Sequence, residues 1–354
     1  MALRRASRAG TAGPVLVGGC PRSGTTLLRT MLNSHPSLAV PHETRFVVPA
    51  WRRRDSFGDL RDPERRRDVA RWIIETPSSR SERLGIPAGE LIELFAEAPP
   101  TLGSLMAAAF SRHAERNGKE RWGDKRPHYV KNMNAVLGFF PDARFVNVIR
   151  DPRACALSMG RIWENFGDIY SAAEVWERSV LAGEAAARKL EPGRFMTIHY
   201  EDLVTKPDDT LDRVCRFLDL DTAHIGKMLD YPEGPGLPTG QIYEKATRAP
   251  DPEAMHQWRG RLDGAALGFI EHVLAKPMAR HGYLPEGDGR RPEAAMLRDF
   301  ASLRSTRDWE DRRRDLVELK RRFTHRQPPA SLVPGPRPAT DDLHHEPGTP
   351  SKNR

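Results

Sequence analysis

The sequence predicts an α/β fold in which a central, mostly parallel sheet is flanked by helices in three layers. Three stretches carry that expectation. Val15-Leu16-Val17-Gly18-Gly19 is an apolar run of strand length, followed by a glycine turn and then Leu27, Leu28, Met31 and Leu32 at helical spacing. Arg144-Phe145-Val146-Asn147-Val148-Ile149 is a second such run, followed by Arg150-Asp151-Pro152 and a helix from about Arg153, with proline in its first turn. Arg194 to Tyr200 is a third, followed by Leu211, Val214, Phe217 and Leu218 at helical spacing. Strands joined through helices are crossover connections, and crossovers make parallel sheets.

The remaining elements follow in chain order. The first helix runs from Thr25 to Ser34 and ends at His35-Pro36, because a residue before proline is pushed out of the helical region. Leu38-Ala39-Val40 reads as a short strand leading into Pro41-His42-Glu43-Thr44-Arg45. From Trp51 to about Arg121 the pattern is helical, charged and broken by prolines, with arginine clusters at 52–54 and 65–67. Near Pro285 the character changes. Residues 286–291 read as a loop, Asp299 to Phe323 as a charged surface helix, and Gln327 to Arg354 as a Pro-rich, polar tail. The expected organisation is a flexible basic N-terminus (1–13), a main domain (14–285, with 51–121 as a helical, acceptor-side region), a charged helical extension (286–325) and a disordered tail (326–354).

Composition narrows the function classes. Lys+Arg 56 against Asp+Glu 48 leaves a net charge of +8, which suits nucleic acid, membrane surfaces or anionic small ligands. The arginine clusters alternate with acids, the pattern of a solvated helix face, and no nucleic-acid module is recognisable. The expectation is therefore no nucleic-acid partner. No run approaches the length of a membrane span, and 15–19 is too short for a signal-peptide core. Cys20, Cys155 and Cys215 are widely spaced and odd in number, which suggests neither a disulfide framework nor a zinc site. A cytoplasmic protein with reduced cysteines is expected.

The glycine turn is the most informative segment. Gly19 and Gly24 have the spacing of the Walker phosphate loop, G-x-x-x-x-G-K-[ST]. Backbone N–H groups of such a turn and of the new helix converge on one anion, and the helix dipole adds to the attraction. The fold expected is therefore P-loop-like. Thr25 stands where the Walker lysine would be, and Arg22 supplies a cation from inside the loop. A P-loop nucleotide kinase or NTPase is the alternative reading; it needs the missing lysine and a magnesium-binding acid at a strand end.

Cys20-Pro21-Arg22-Ser23-Gly24-Thr25-Thr26-Leu27-Leu28 resembles the 5′-phosphosulfate-binding loop of sulfotransferases, which use 3′-phosphoadenosine 5′-phosphosulfate (PAPS) as sulfuryl donor. Phe145 to Ser158 resembles the same family's 3′-phosphate element, with Arg150 at the strand end and Ser158 eight residues on. Further segments extend the likeness over about residues 14–285, toward bacterial-type enzymes and tyrosylprotein sulfotransferases. His42-Glu43-Thr44-Arg45 resembles a catalytic glutamate segment, Trp122-Gly123-Asp124-Lys125-Arg126-Pro127 a lysine-proline element, and Tyr200 in His199-Tyr200-Glu201-Asp202-Leu203 a tyrosine beside the nucleotide. Gln241 to Arg248 falls where relatives place a nucleotide-covering loop.

The resemblance implies that PAPS is the co-substrate, held by Arg22, Ser23, Gly24, Thr25, Thr26, Arg150, Ser158 and Tyr200. It implies sulfuryl transfer to an acceptor hydroxyl or amine by in-line displacement. Catalysis then rests on positioning and on stabilising charge at the attacking and leaving oxygens. Glu43 is the expected base, with His42 as the alternative. A carboxylate needs a partly apolar or anionic setting to work near neutral pH. Arg22 and Lys125 are the cations expected at the leaving phosphate. Sulfuryl carries less charge than phosphoryl, so no metal is required. The acceptor (a carbohydrate, a tyrosyl peptide, a lipid or a small natural product) has no motif of its own, and oligomeric state is equally unwritten. The arginines of the acceptor-side region hint at an anionic acceptor.

Overall fold

The computed structural model describes residues 13–160, 168–231 and 252–324. The chain starts with strand β1 (Val15–Gly19), helix α1 (Thr25–Ser34) and strand β2 (Leu38–Ala39). Four helices follow: α2 (Val47–Arg52), α3 (Pro63–Glu75), α4 (Ala88–Glu97) and α5 (Leu102–Arg116). Strand β3 (Arg121–Lys125) and α6 (Met133–Phe139) lead to β4 (Arg144–Ile149), α7 (Pro152–Gly160) and α8 (Ile169–Lys189). Strand β5 (Phe195–His199) precedes α9 (Tyr200–Thr205), α10 (Pro207–Leu218) and α11 (Ile225–Leu229). The chain closes with α12 (Gly264–Val273), α13 (Ala275–Arg280) and the long α14 (Ala294–Thr324).

The sheet order is β2-β3-β1-β4-β5, and every pairing is parallel. Val15 lies between Gly123 and Arg144, and Ile149 beside His199. Alternation along the strands builds the three layers. Leu16 and Phe145 pack with Phe46, Phe110 and Phe139 on one face, while Val15, Val17 and Val146 pack with Leu28, Leu211 and Val214 on the other. Each such fully buried aliphatic side chain contributes about 2 kcal/mol from leaving water, before conformational entropy.

Strands β1 and β4 and helix α1 have the bounds read from the sequence. Strand β5 ends at His199, and Tyr200 opens α9 instead of closing the strand. The charged helix read over Asp299 to Phe323 runs from Ala294 to Thr324, starting five residues earlier. Strand β3 is the element without a sequence signature. Its residues, Arg-Trp-Gly-Asp-Lys, have the wrong polarity for a buried strand, yet Gly123, Asp124 and Lys125 are buried. Gly123 is needed for contact: an added Cβ would stand 2.6 Å from the Val15 carbonyl oxygen. Both charged residues have partners inside the protein: Thr44 and Tyr129 for Asp124, Thr26 and Glu43 for Lys125.

The segment 41–46 is not a strand. No strand pleat therefore sets the directions of His42 and Glu43. Polar ties shape this stretch instead. Arg29 donates to the carbonyls of Val40 (2.7 Å) and Pro41 (3.3 Å), and Arg45 N–H donates to the Ser79 carbonyl (2.7 Å). All three cysteines are buried and free. Among the described residues no helix is long and apolar enough to cross a membrane.

Candidate active site

Both loops of interest leave the carboxyl ends of adjacent strands, the usual ligand position in an open parallel sheet. The first joins β1 to α1. Gly19 has φ +146°, and a Cβ there would lie 2.3 Å from the Val148 carbonyl oxygen. Gly24 has φ +96°, and a Cβ there would lie 2.3 Å from the Tyr200 ring. Glycine is required at both positions by conformation and by contact. Arg22 also adopts a left-handed conformation, φ 70°, which costs a non-glycine residue about 1 kcal/mol and points to a purpose for the bend.

Helix α1 begins at this loop with no side-chain cap and no acidic residue in its first turn. Its N–H groups and dipole are thus left to an anion. The Ser23 hydroxyl is buried and, among the described residues, has no hydrogen-bond partner. An unpaired buried hydroxyl is costly, and an anion in the loop removes that cost.

The second loop joins β4 to α7. Trp176 of α8 donates its indole N–H to the Arg150 carbonyl at 2.8 Å and fixes the turn. The Arg150 guanidinium lies 4.2 Å from the centre of the Tyr200 ring and donates to the Arg22 carbonyl at 3.3 Å. Arg22 Nε donates to Ser158 Oγ at 3.0 Å. Residues far apart in sequence therefore form one cationic surface across two loops. Arg22 and Ser158, expected at different phosphates, touch each other. The surface fits a nucleotide that carries two separate anionic groups.

A third cluster sits beside the loop. Lys125, fully buried at the end of β3, donates to Thr26 Oγ1 (3.2 Å) and pairs with Glu43 Oε2 (3.0 Å). Arg45 reaches Glu43 Oε1 at 3.3 Å. The setting of Glu43 differs from the apolar or anionic one expected. Burial pushes its carboxyl up, but the charge and hydrogen bond of Lys125, with Arg45 and Arg80, outweigh burial and hold it at about 2. His42 is lowered to about 3, first by burial and then by Lys125, Arg83 and Arg29, so its ring is neutral at neutral pH. Arg83 Nη1 is hydrogen-bonded to His42 Nδ1. A guanidinium only donates, so Nδ1 is the acceptor and the ring proton lies on Nε2.

Several residues of this cluster carry no motif. Arg83 donates to the Glu43 carbonyl at 3.2 Å. Thr44 Oγ1 donates to Asp124 Oδ2 at 2.9 Å, and the Tyr129 hydroxyl donates to the same oxygen. Burial raises Asp124 to about 6 against the bonds from Tyr129, Thr44 and the Lys125 backbone. The Trp122-Gly123-Asp124-Lys125-Arg126-Pro127 element was the one available signal for Asp124 and Lys125. Gln241 to Arg248 lies outside the described residues. Among the described residues no group of His, Cys, Asp or Glu could hold a metal ion.

The sequence pattern described as the sulfotransferase family matches residues 14–224. The protein-tyrosine sulfotransferase of Drosophila melanogaster is 25% identical over 322 residues, covering 86% of this chain and 59% of that protein. The protein-tyrosine sulfotransferase 2 of Gallus gallus is 23% identical over 286 residues, covering 77% and 69%. The chain thus spans between about half and three quarters of the length of these relatives. A solved sulfotransferase domain from the curacin biosynthetic pathway superposes with a TM-score of 0.53 at 20% identity, covering 78% of this chain and 99% of that one. That likeness is one of fold.

Proposed function

This chain belongs to the sulfotransferase family, and from that premise we propose that it moves the sulfuryl group of PAPS to an acceptor hydroxyl or amine by in-line displacement. The observation that carries the reading is the pair of anion positions on one surface. An uncapped helix start with the buried Ser23 hydroxyl suits a 5′-phosphosulfate. Arg150 and Ser158 suit a 3′-phosphate, and Tyr200 lies between Gly24 and Arg150. The donor supplies an activated sulfuryl group; the chain's residues position it and manage charge and protons.

Glu43 accepts the acceptor's proton in this reading. Its two cation contacts make it a poor base as it stands. Negative charge brought to the loop competes for Lys125 and repels the Glu43 carboxylate, and both effects raise its pKa. Lys125 then faces the leaving oxygen, for which Thr26 is already its partner on the loop. Arg22 supports the leaving phosphate by charge and hydrogen bonding only, since a guanidinium does not give up its proton. His42 is a poor candidate because its Nδ1 lone pair is engaged by Arg83. It supports the backbone of the Glu43 segment instead.

The relatives named protein-tyrosine sulfotransferase make a tyrosyl hydroxyl the first acceptor to try. Incubation with radiolabelled PAPS and a panel of tyrosyl peptides, carbohydrates and phenols tests the activity. Thermal stabilisation by adenosine 3′,5′-bisphosphate, and not by ATP–Mg²⁺, is the expected companion result. The reverse pattern points to an NTPase and sinks the proposal.

A further inference from the structure

The direction of the Arg150 side chain depends on one peptide unit, the bond between Arg150 and Asp151. Side chains from two helices hold both polar atoms of that unit. Trp176 of α8 donates its indole N–H to the Arg150 carbonyl at 2.8 Å, and Glu201 of α9 accepts the Asp151 N–H on Oε1 at 3.0 Å. A peptide unit is planar, so holding its carbonyl and its N–H fixes the plane from which Arg150 projects. Glu201 also follows Tyr200 directly, and the Tyr200 ring lies 4.2 Å from the Arg150 guanidinium. One carboxylate thus ties the turn that carries Arg150 to the residue its guanidinium faces.

Both supports meet at Tyr283, in the stretch between α13 and α14. The Tyr283 hydroxyl donates to Glu201 Oε2 at 3.0 Å, and its ring stands edge-on to Trp176 with centres 6.5 Å apart. Burial, and then the Glu201 charge, push that hydroxyl well above the ordinary tyrosine range, so it stays a donor. The bond takes up one carboxylate oxygen and leaves the other aimed at the Asp151 N–H.

The Tyr283 segment is itself secured to the same turn. Arg153 is buried and forms a two-pronged pair with Asp151, at 3.0 Å to Oδ1 and 2.7 Å to Oδ2. It also donates to Glu271 Oε1 of α12 at 2.7 Å and to the Leu284 carbonyl at 3.0 Å, and its face lies 4.0 Å from the Trp258 ring. Charge-assisted bonds in several directions hold a planar guanidinium firmly. Residues 283 and 284 therefore reach the 150–153 turn twice, through Glu201 and through Arg153. Tyr283 lies beyond the family-matched segment, which ends at 224, and no motif marks it.

We propose that Tyr283 is a positioning residue for the donor: acting through Glu201, it orients the Arg150–Asp151 peptide and so sets how strongly the chain prefers a nucleotide with a 3′-phosphate. This inference rests on the sulfuryl-transfer reading above, in which Arg150 meets that phosphate. A residue that only stabilised the fold would affect every nucleotide alike.

The test titrates the full chain calorimetrically with adenosine 3′,5′-bisphosphate and with adenosine 5′-monophosphate, which lacks the 3′-phosphate. The ratio of the two affinities reads the 3′-phosphate position. It is expected to fall about threefold in Tyr283→Phe and about tenfold in Glu201→Ala, the range that single hydrogen bonds cover. Affinity for the monophosphate should stay within about twofold of wild type in both. The double variant should fall no further than Glu201→Ala, because Tyr283 acts through Glu201. Glu201→Gln should keep most of the preference, since its amide can accept from Asp151 and donate to the Tyr283 oxygen. Tyr283→Phe keeps the ring against Trp176, so the comparison does not depend on whether Glu201→Ala folds. An unchanged ratio in Tyr283→Phe, an equal loss for both nucleotides, or losses that multiply in the double variant overturn the proposal. A wild-type chain that binds both nucleotides equally, or neither, overturns the sulfuryl-transfer reading instead.

Discussion

The glycine loop between β1 and α1 and the cavity beside α14 are built in opposite ways. The loop at 19–26 is local: a strand end, two glycines and a helix start that present backbone N–H groups to an anion. The cavity is assembled from α2, the stretch after β3, α8 and α14, and it presents side chains. A backbone site depends on conformation, so few residues are acceptable at its bends. A side-chain site depends on which charges face it, so it is changed by single substitutions without altering the fold.

The separation predicts that variants divide cleanly into binding and turnover classes. Glu43→Gln tests it most severely. Loss of the base is expected to lower kcat by about 10²–10⁴-fold while calorimetric affinity for adenosine 3′,5′-bisphosphate stays within about twofold. A variant that keeps full turnover removes Glu43 from the role of base. Gly24→Ala is the mirror case. With φ +96° and a Cβ only 2.3 Å from the Tyr200 ring, it should weaken bisphosphate binding by about a hundredfold, a conformational and steric penalty of about 3 kcal/mol. Wild-type affinity in that variant would show that the loop is not the anion site.

Within the nucleotide surface the effects should rank by charge. Arg150→Ala is expected to cost about 10- to 100-fold in bisphosphate affinity, the value of a charge-assisted bond, and Ser158→Ala only about two- to tenfold. A reversed order would mean that Arg150 serves the Tyr200 ring and the Arg22 carbonyl more than a ligand.

The smallest effect is one of pH on stability. Glu43 is held at about 2, below the ordinary carboxylate value of 4.5. A depressed carboxylate stabilises the folded state above the unfolded pKa, and that contribution is lost as pH falls from about 4.5 toward 2. The melting-temperature difference between wild type and Glu43→Gln should therefore shrink across that window. A difference that stays constant from pH 5 to pH 2.5 would show that the Lys125 pair does not hold Glu43 in solution.

Elements whose purpose is to pack were legible in the residues. Strands β1 and β4 and helix α1 announce themselves by apolar periodicity, because burial on a sheet or helix face leaves a repeating trace. The phosphate loop was legible for a related reason: glycine spacing records backbone geometry directly. Strand β3 left no such trace. Its central position in the sheet is decided by pairing with β1 and β2, and its buried Asp124 and Lys125 hide the apolar pattern. Expecting an apolar or anionic setting for Glu43 failed for a similar reason. Arg45 lies two residues away, but Arg80 and Lys125 reach it from other segments, and no local pattern records that convergence.

The sequence by itself determined the layered parallel fold and the strand–glycine–helix turn at 19–26, because each depends on residues within a few positions of one another, whereas Glu43, Lys125, Arg150 and Ser158 were singled out only through a family resemblance. Tertiary structure alone decided that Arg22 meets Ser158, that Lys125 restrains Glu43, that Arg83 occupies His42, and that α14 walls the cavity. Those are contacts between residues 41 to 264 positions apart. They are fixed by how the layers pack, and electrostatic pairing at such range leaves no periodic mark on the residues that take part.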